Sequence, residues 1–187
     1  MKREKREMPD SANQPNKIIQ KLSQPKTWLL IASLAVLIPL IFYAYLGIFS
    51  RHQADDYCYA WNATSRSLIN SQIGFYRTDT SRFSATLVLS IGDIIGQRSI
   101  SVFPSLIIVI WLLGSYLLFN LIQQLLNLEL PPLAVFLLAE TWIFFTLLLA
   151  PNLYQVLYWR PGLVIYLLPI AVLTWLVFLI LSLVSNP

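Results

Sequence analysis

Two adjacent carboxylates, Asp55 and Asp56, open the stretch Gln53-Ala54-Asp55-Asp56-Tyr57-Cys58-Tyr59-Ala60-Trp61, directly after a long apolar segment. Neighbouring acids on a helix point in different directions. One can therefore serve as a general base while the other orients a substrate or holds a divalent cation. The pair can also do no chemistry and simply cap the helix that follows, because carboxylates near a helix N-terminus are stabilised by its unpaired amides. Spacing alone leaves these roles open.

Two further stretches carry groups of interest. In Tyr76-Arg77-Thr78-Asp79-Thr80-Ser81-Arg82-Phe83 the chain returns toward apolar sequence, and Arg82 is either an ordinary interfacial charge or a bidentate ligand for a lipid-linked phosphate, which a guanidinium fork suits better than an ammonium. Pro151 to Gly162, continuing to Tyr166, gathers Gln155, Trp159 and Arg160 with several tyrosines. Such aromatics form an interface belt in many membrane proteins, or stack against and hydrogen-bond a sugar. Glu140 lies inside an apolar run, where an isolated ionised carboxylate costs roughly 2.5 kcal/mol or more, so it should be protonated or paired within the bundle. Antiparallel packing around the Asn127–Pro132 turn would put Asn120 at its depth, with Tyr116 and Gln123 a turn away. His52 and Cys58 receive no role, and Asn62-Ala63-Thr64 matches the glycosylation sequon.

The elements that must position these groups are apolar helices. At 57% hydrophobic and 12% charged residues, with a mean hydropathy of +0.64, the chain is an integral membrane protein and not a soluble domain. Its net charge of +4 sits almost entirely in the first 27 residues and comes without a basic, aromatic-interleaved platform, so it signals topology and not nucleic-acid binding. A single cysteine excludes an intramolecular disulfide and a cysteine metal cluster.

In order, residues 1–27 read as a basic, proline-interrupted cytoplasmic tail, and residues 28–49 as a first span with Trp28, Tyr43 and Tyr45 as interface anchors. Residues 102–126, 133–150 and 162–184 read as three more, the third span being marginal in length. The expected architecture is all-α, with four transmembrane helices. Residues 50–101 form a long outer loop carrying one or two interfacial helices, 127–132 an inner turn, 151–161 a second outer loop and 185–187 the end. Within the first outer loop, Asp55 to Leu68 can form a helix, Gly74 breaks the chain, and Phe83 to Ile95 is too short to span and lies at the membrane surface or packs on the bundle.

This combination resembles the N-terminal part of the GT-C membrane glycosyltransferases, which include the protein O-mannosyltransferases and the aminoarabinose transferases. The resemblance rests on the basic tail, one span, an outer loop opening with an acid pair, and a second outer loop of the form aromatic-Trp-x-x-Gly-x-x-x-Tyr at Trp159, Gly162 and Tyr166. It implies transfer of a sugar from a polyprenyl-phosphate donor to an acceptor at the outer face, with Asp55 as catalytic base and Asp56 as supporting acid or alternative base. Arg82 matches the arginine of a Gly-Arg-Phe element whose glycine is here Ser81, and Gln155 stands where an acid is often found. Arg82, Gln155, Trp159, Arg160 and Tyr166 would then bind donor sugar and phosphate. Members of the family carry more spans and usually a soluble outer domain, so four spans would be its front half, alone or as a fragment. The localisation implied is a bacterial plasma membrane, and the partners are the lipid-linked donor, membrane lipids and other membrane subunits. The rival reading is a non-catalytic accessory protein whose acids only cap a helix.

Overall fold

The computed structural model describes residues 24–79 and 82–185. Most of the basic tail, and Ser81 of the phosphate-binding reading, lie outside the described residues. Among the described residues there are helices and no strands. Helix α1 (Pro25–Leu46) begins with proline at its first turn, where the missing amide costs nothing, and is followed by a single tight turn at Gly47–Phe49. Three short helices follow: α2 (Asp55–Ser65), α3 (Leu68–Gly74), and α4 (Phe83–Ile95). Then come α5 (Arg98–Leu125), α6 (Pro132–Leu148) and α7 (Arg160–Ser185), the last widened by a π-helical turn at Leu163–Leu167.

Three of these, Pro25–Phe49, Arg98–Leu125 and Arg160–Ser185, are long and apolar enough to cross a membrane, which marks the chain as a membrane protein. The 17 residues of α6 rise about 25 Å, short of a hydrocarbon core of about 30 Å. The helix expected from Asp55 to Leu68 stops three residues earlier, at Ser65, and a second one starts behind Ser67, whose hydroxyl caps the Asn70 amide at 3.4 Å.

The long helices lock through small residues and indole hydrogen bonds. Gly114 on α5 leaves room for the Trp175 indole of α7; a Cβ there would meet Trp175 Nε1 at 2.7 Å. That nitrogen donates to the Ile110 carbonyl (3.0 Å), and Trp111 Nε1 donates to Thr174 Oγ1 (3.1 Å). Gly47 likewise admits Pro104, and Ser105 Oγ donates to the Ala44 carbonyl (3.0 Å), tying α1 to α5. The core between them includes Leu40, Leu89, Ile107, Trp111, Ile143, Leu157 and Leu167. Asn127, at φ 52°, supplies the left-handed residue that ends α5 and turns the chain into α6.

Glu140 is hydrogen-bonded within the bundle, and its partner comes from α1. It is fully buried on α6, but its Oε2 accepts from Ser33 Oγ on α1 (2.9 Å), while Asn120 accepts from Gln123 within α5 (2.9 Å). The polar contact at that depth therefore joins α1 to α6 and not α5 to α6.

Candidate functional site

The segments between α1 and α5 and between α6 and α7 meet at one end of the bundle, and what joins them is charge. Arg160, the first residue of α7, is 2% exposed, and its guanidinium lies between two carboxylates. Nε donates to Asp56 Oδ1 (2.9 Å), Nη1 to Asp93 Oδ1 (2.5 Å) and Nη2 to Asp93 Oδ2 (3.3 Å). The fork grips Asp93 with both nitrogens and uses its remaining edge on Asp56, a geometry an ammonium cannot reproduce. Asp56 is 0% and Asp93 8% exposed, so one guanidinium and two carboxylates, net one negative charge, are buried together. Burial of this kind is tolerable because all four carboxylate oxygens accept hydrogen bonds, Asp56 Oδ2 from the Gln53 amide and the other three from Arg160.

Local structure prepares each member. Asp56 Oδ2 accepts from the Gln53 amide (3.1 Å) while the Asp56 amide donates to the Gln53 carbonyl (2.8 Å), a reciprocal closure of the turn that starts α2. The turn forces Ala54 to φ 42° and ψ −112°, a conformation that glycine adopts without cost and alanine does not. Asp93 comes from α4, where Thr86, Leu89, Ser90 and Asp93 share the buried face. Gln72 of α3 binds the other polar residues of that face: Thr86 Oγ1 donates to Gln72 Oε1 (2.9 Å) and Gln72 Nε2 donates to Ser90 Oγ (3.1 Å). Arg160 is aimed by the first turn of α7, in which Gly162 sits so close to the Gln155 carbonyl that any Cβ would overlap it. Gln53 Nε2 donates to the Tyr154 hydroxyl, and Tyr158 donates to the Tyr43 carbonyl (3.1 Å). Burial, and secondarily Tyr43, pushes the Tyr158 phenol up to about 12.

The two acids of the opening stretch are thus split. Asp55 is exposed at the start of α2, whereas Asp56 is committed to Arg160. Arg160, read from sequence as a substrate-phosphate ligand, directs its donors at Asp56 and Asp93 instead. Gln155 and Tyr166 line one cleft of about 480 Å³ with Thr146, Asn152, Val156 and Ile170. Arg82, exposed just before α4, lines a separate apolar groove of about 470 Å³ between α4 and α7, with Ala85, Val88, Val164, Leu168 and Val172. Trp159 is half-buried against Gly162. Among the described residues no three His, Cys, Asp or Glu side chains are placed to hold a metal ion, and the acid pair offers a cation Asp55 alone, since Asp56 is engaged.

Asp93 is the residue that sequence reading missed. Its signal was present, as Thr86, Ser90 and Asp93 recur at helical spacing on an otherwise apolar segment, but their partner is distant in the chain. Comparison with family models, with curated proteins and with solved structures gives no match.

Proposed function

We propose that the chain is a membrane glycosyltransferase of the GT-C kind, or the N-terminal part of one. It transfers a sugar from a polyprenyl-phosphate donor to an acceptor at the outer face of a bacterial plasma membrane. The observation that carries this reading is the division of labour within the acid pair. Asp56 is held in a buried ion network that joins α2, α4 and α7, and this anchors the helix start from which Asp55 faces water. An engaged carboxylate accepts a proton only by giving up its partner, whereas an exposed one next to it is available. Asp55 is then the base that takes the acceptor's proton as its oxygen attacks the anomeric carbon, and the donor phosphate leaves from the opposite face with inversion.

The remaining groups take the following roles in this reading. The groove between α4 and α7 takes isoprenoid units along its apolar wall, with Arg82 at its edge for the phosphate. Gln155 and Tyr166 of the other cleft, with Trp159, are the sugar-binding residues in this reading. Arg160 and Asp93 position, and do not bind, the substrate. In this reading α6 is a fourth span, slightly short and accommodated by local thinning, with the N-terminus cytoplasmic.

The test is lipid-linked sugar transfer in membranes bearing the chain. Asp55→Asn should lower the rate by about 10² to 10⁴, the usual contribution of a positioned base, while leaving the protein as stable as the parent. Transfer that survives Asp55→Asn undiminished removes Asp55 from the mechanism. A folded parent without transfer favours a non-catalytic accessory role.

A further inference from the structure

Glu140 takes no part in the reading above, yet it is an ionisable side chain fully buried between apolar helices. It is 0% exposed, with Oε2 bound to Ser33 Oγ and Oε1 buried without a hydrogen-bond partner among the described residues. The charged and titratable groups on the elements packed against it are few and distant in sequence. On α1 they are Lys26 at its start and Tyr43 and Tyr45 at its far end; on α5, Arg98 at the opposite end and Tyr116; in the turn before α6, Glu129. Neither of the ion pairs of Arg160 includes Glu140. An ionised carboxylate with one hydroxyl donor and no counter-charge is far costlier there than a neutral acid, whose hydroxyl restores a donor to the unpartnered oxygen.

A row of polar side chains on α5 starts from Tyr116, which touches the helix that carries Glu140. Tyr116 of α5 meets Phe136 of α6, ring centroids 6.2 Å apart, and Phe136 lies one helical turn from Glu140. On the same face of α5, Asn120 and Gln123 continue toward the turn at Asn127, hydrogen-bonded to each other. Among the described residues Gln123 Oε1 is buried without a partner, as Glu140 Oε1 is. Buried polar atoms of this kind are normally satisfied by water.

We infer that Glu140 is a proton-binding site within the bundle, hydrated along Tyr116, Asn120 and Gln123 from the end that carries the Asn127 turn. The site takes a proton, and its neutral acid takes carboxyl reagents that partition into apolar surroundings. The probe is dicyclohexylcarbodiimide, applied at neutral pH to the full chain in membranes. The carboxyl oxygen bonds to the carbodiimide carbon as the acid proton moves to a nitrogen, and rearrangement leaves an N-acylurea carrying the whole reagent mass. The expected result is an adduct at Glu140, located by peptide mass spectrometry and lost in Glu140→Gln, with Glu129 unmodified. Absence of the adduct in folded protein overturns the site. For the route, Gln123→Cys and Asn120→Cys in a Cys58→Ser background should react with a small water-soluble thiol reagent at least tenfold faster than Val135→Cys, a buried α6 control. Equal rates overturn the hydrated path. Both readouts are independent of sugar transfer.

Discussion

Replacing Arg160 by methionine and Asp93 by asparagine, singly and together, tests whether the buried ion network organises this end of the bundle. In the parent, one guanidinium faces two carboxylates, all at most 8% exposed. Arg160→Met leaves Asp56 and Asp93 buried as two unpaired negative charges, and breaking a buried pair from one side costs about 3–5 kcal/mol. Asp93→Asn removes one charge, keeps one acceptor for Nη1, and leaves Arg160 and Asp56 as a neutral pair. Its cost is that of weakening a hydrogen bond to a charged group, about 1.5–3 kcal/mol. In the Arg160→Met background the sign reverses, because Asp93→Asn then removes a repulsive charge and stabilises the protein. Equilibrium unfolding of the detergent-solubilised protein, followed by circular dichroism, reads all four species. The reasoning fails if Asp93→Asn destabilises both backgrounds equally, for the two residues would then be energetically independent despite their 2.5 Å contact.

Three other outcomes follow from single positions. Ala54→Gly should stabilise the protein by about 1 kcal/mol in the same unfolding assay, since it relieves the strain at φ 42° directly before the acid pair. Gly162→Ala should cost about 3 kcal/mol or more, because its methyl would overlap the Gln155 carbonyl and displace Arg160 with it; a neutral effect would contradict the tight turn. Tyr158 should ionise only near pH 12 in an ultraviolet titration, and Tyr158→Phe should remove that late step. Its folded pKa lies above the unfolded one, so its contribution to stability is complete below about pH 10 and falls away as the pH rises from there through 12.

The apolar runs, their lengths and the proline and glycine punctuation were enough to read the chain as an all-helical membrane protein. Hydrophobic length and helix termini are local properties that each segment carries by itself. Phe83 to Ile95 was legible in the same way as a helix too short to span. The acid pair was visible as a candidate for chemistry, but not which acid is open: adjacent residues on α2 differ only in what lies beyond them, and that is Arg160, more than a hundred residues downstream. For the same reason Arg160 read as a ligand for substrate and Asp93 did not stand out at all. Glu140 was expected to be protonated or hydrogen-bonded within the bundle, but its partner, Ser33 of α1, lies more than a hundred residues upstream and could not be read locally. Composition and periodicity determined which segments are helices and that they suit a membrane. Only packing decided which buried charges meet, because a side chain's partner depends on rotation and depth between helices far apart in the chain, and the sequence encodes neither locally.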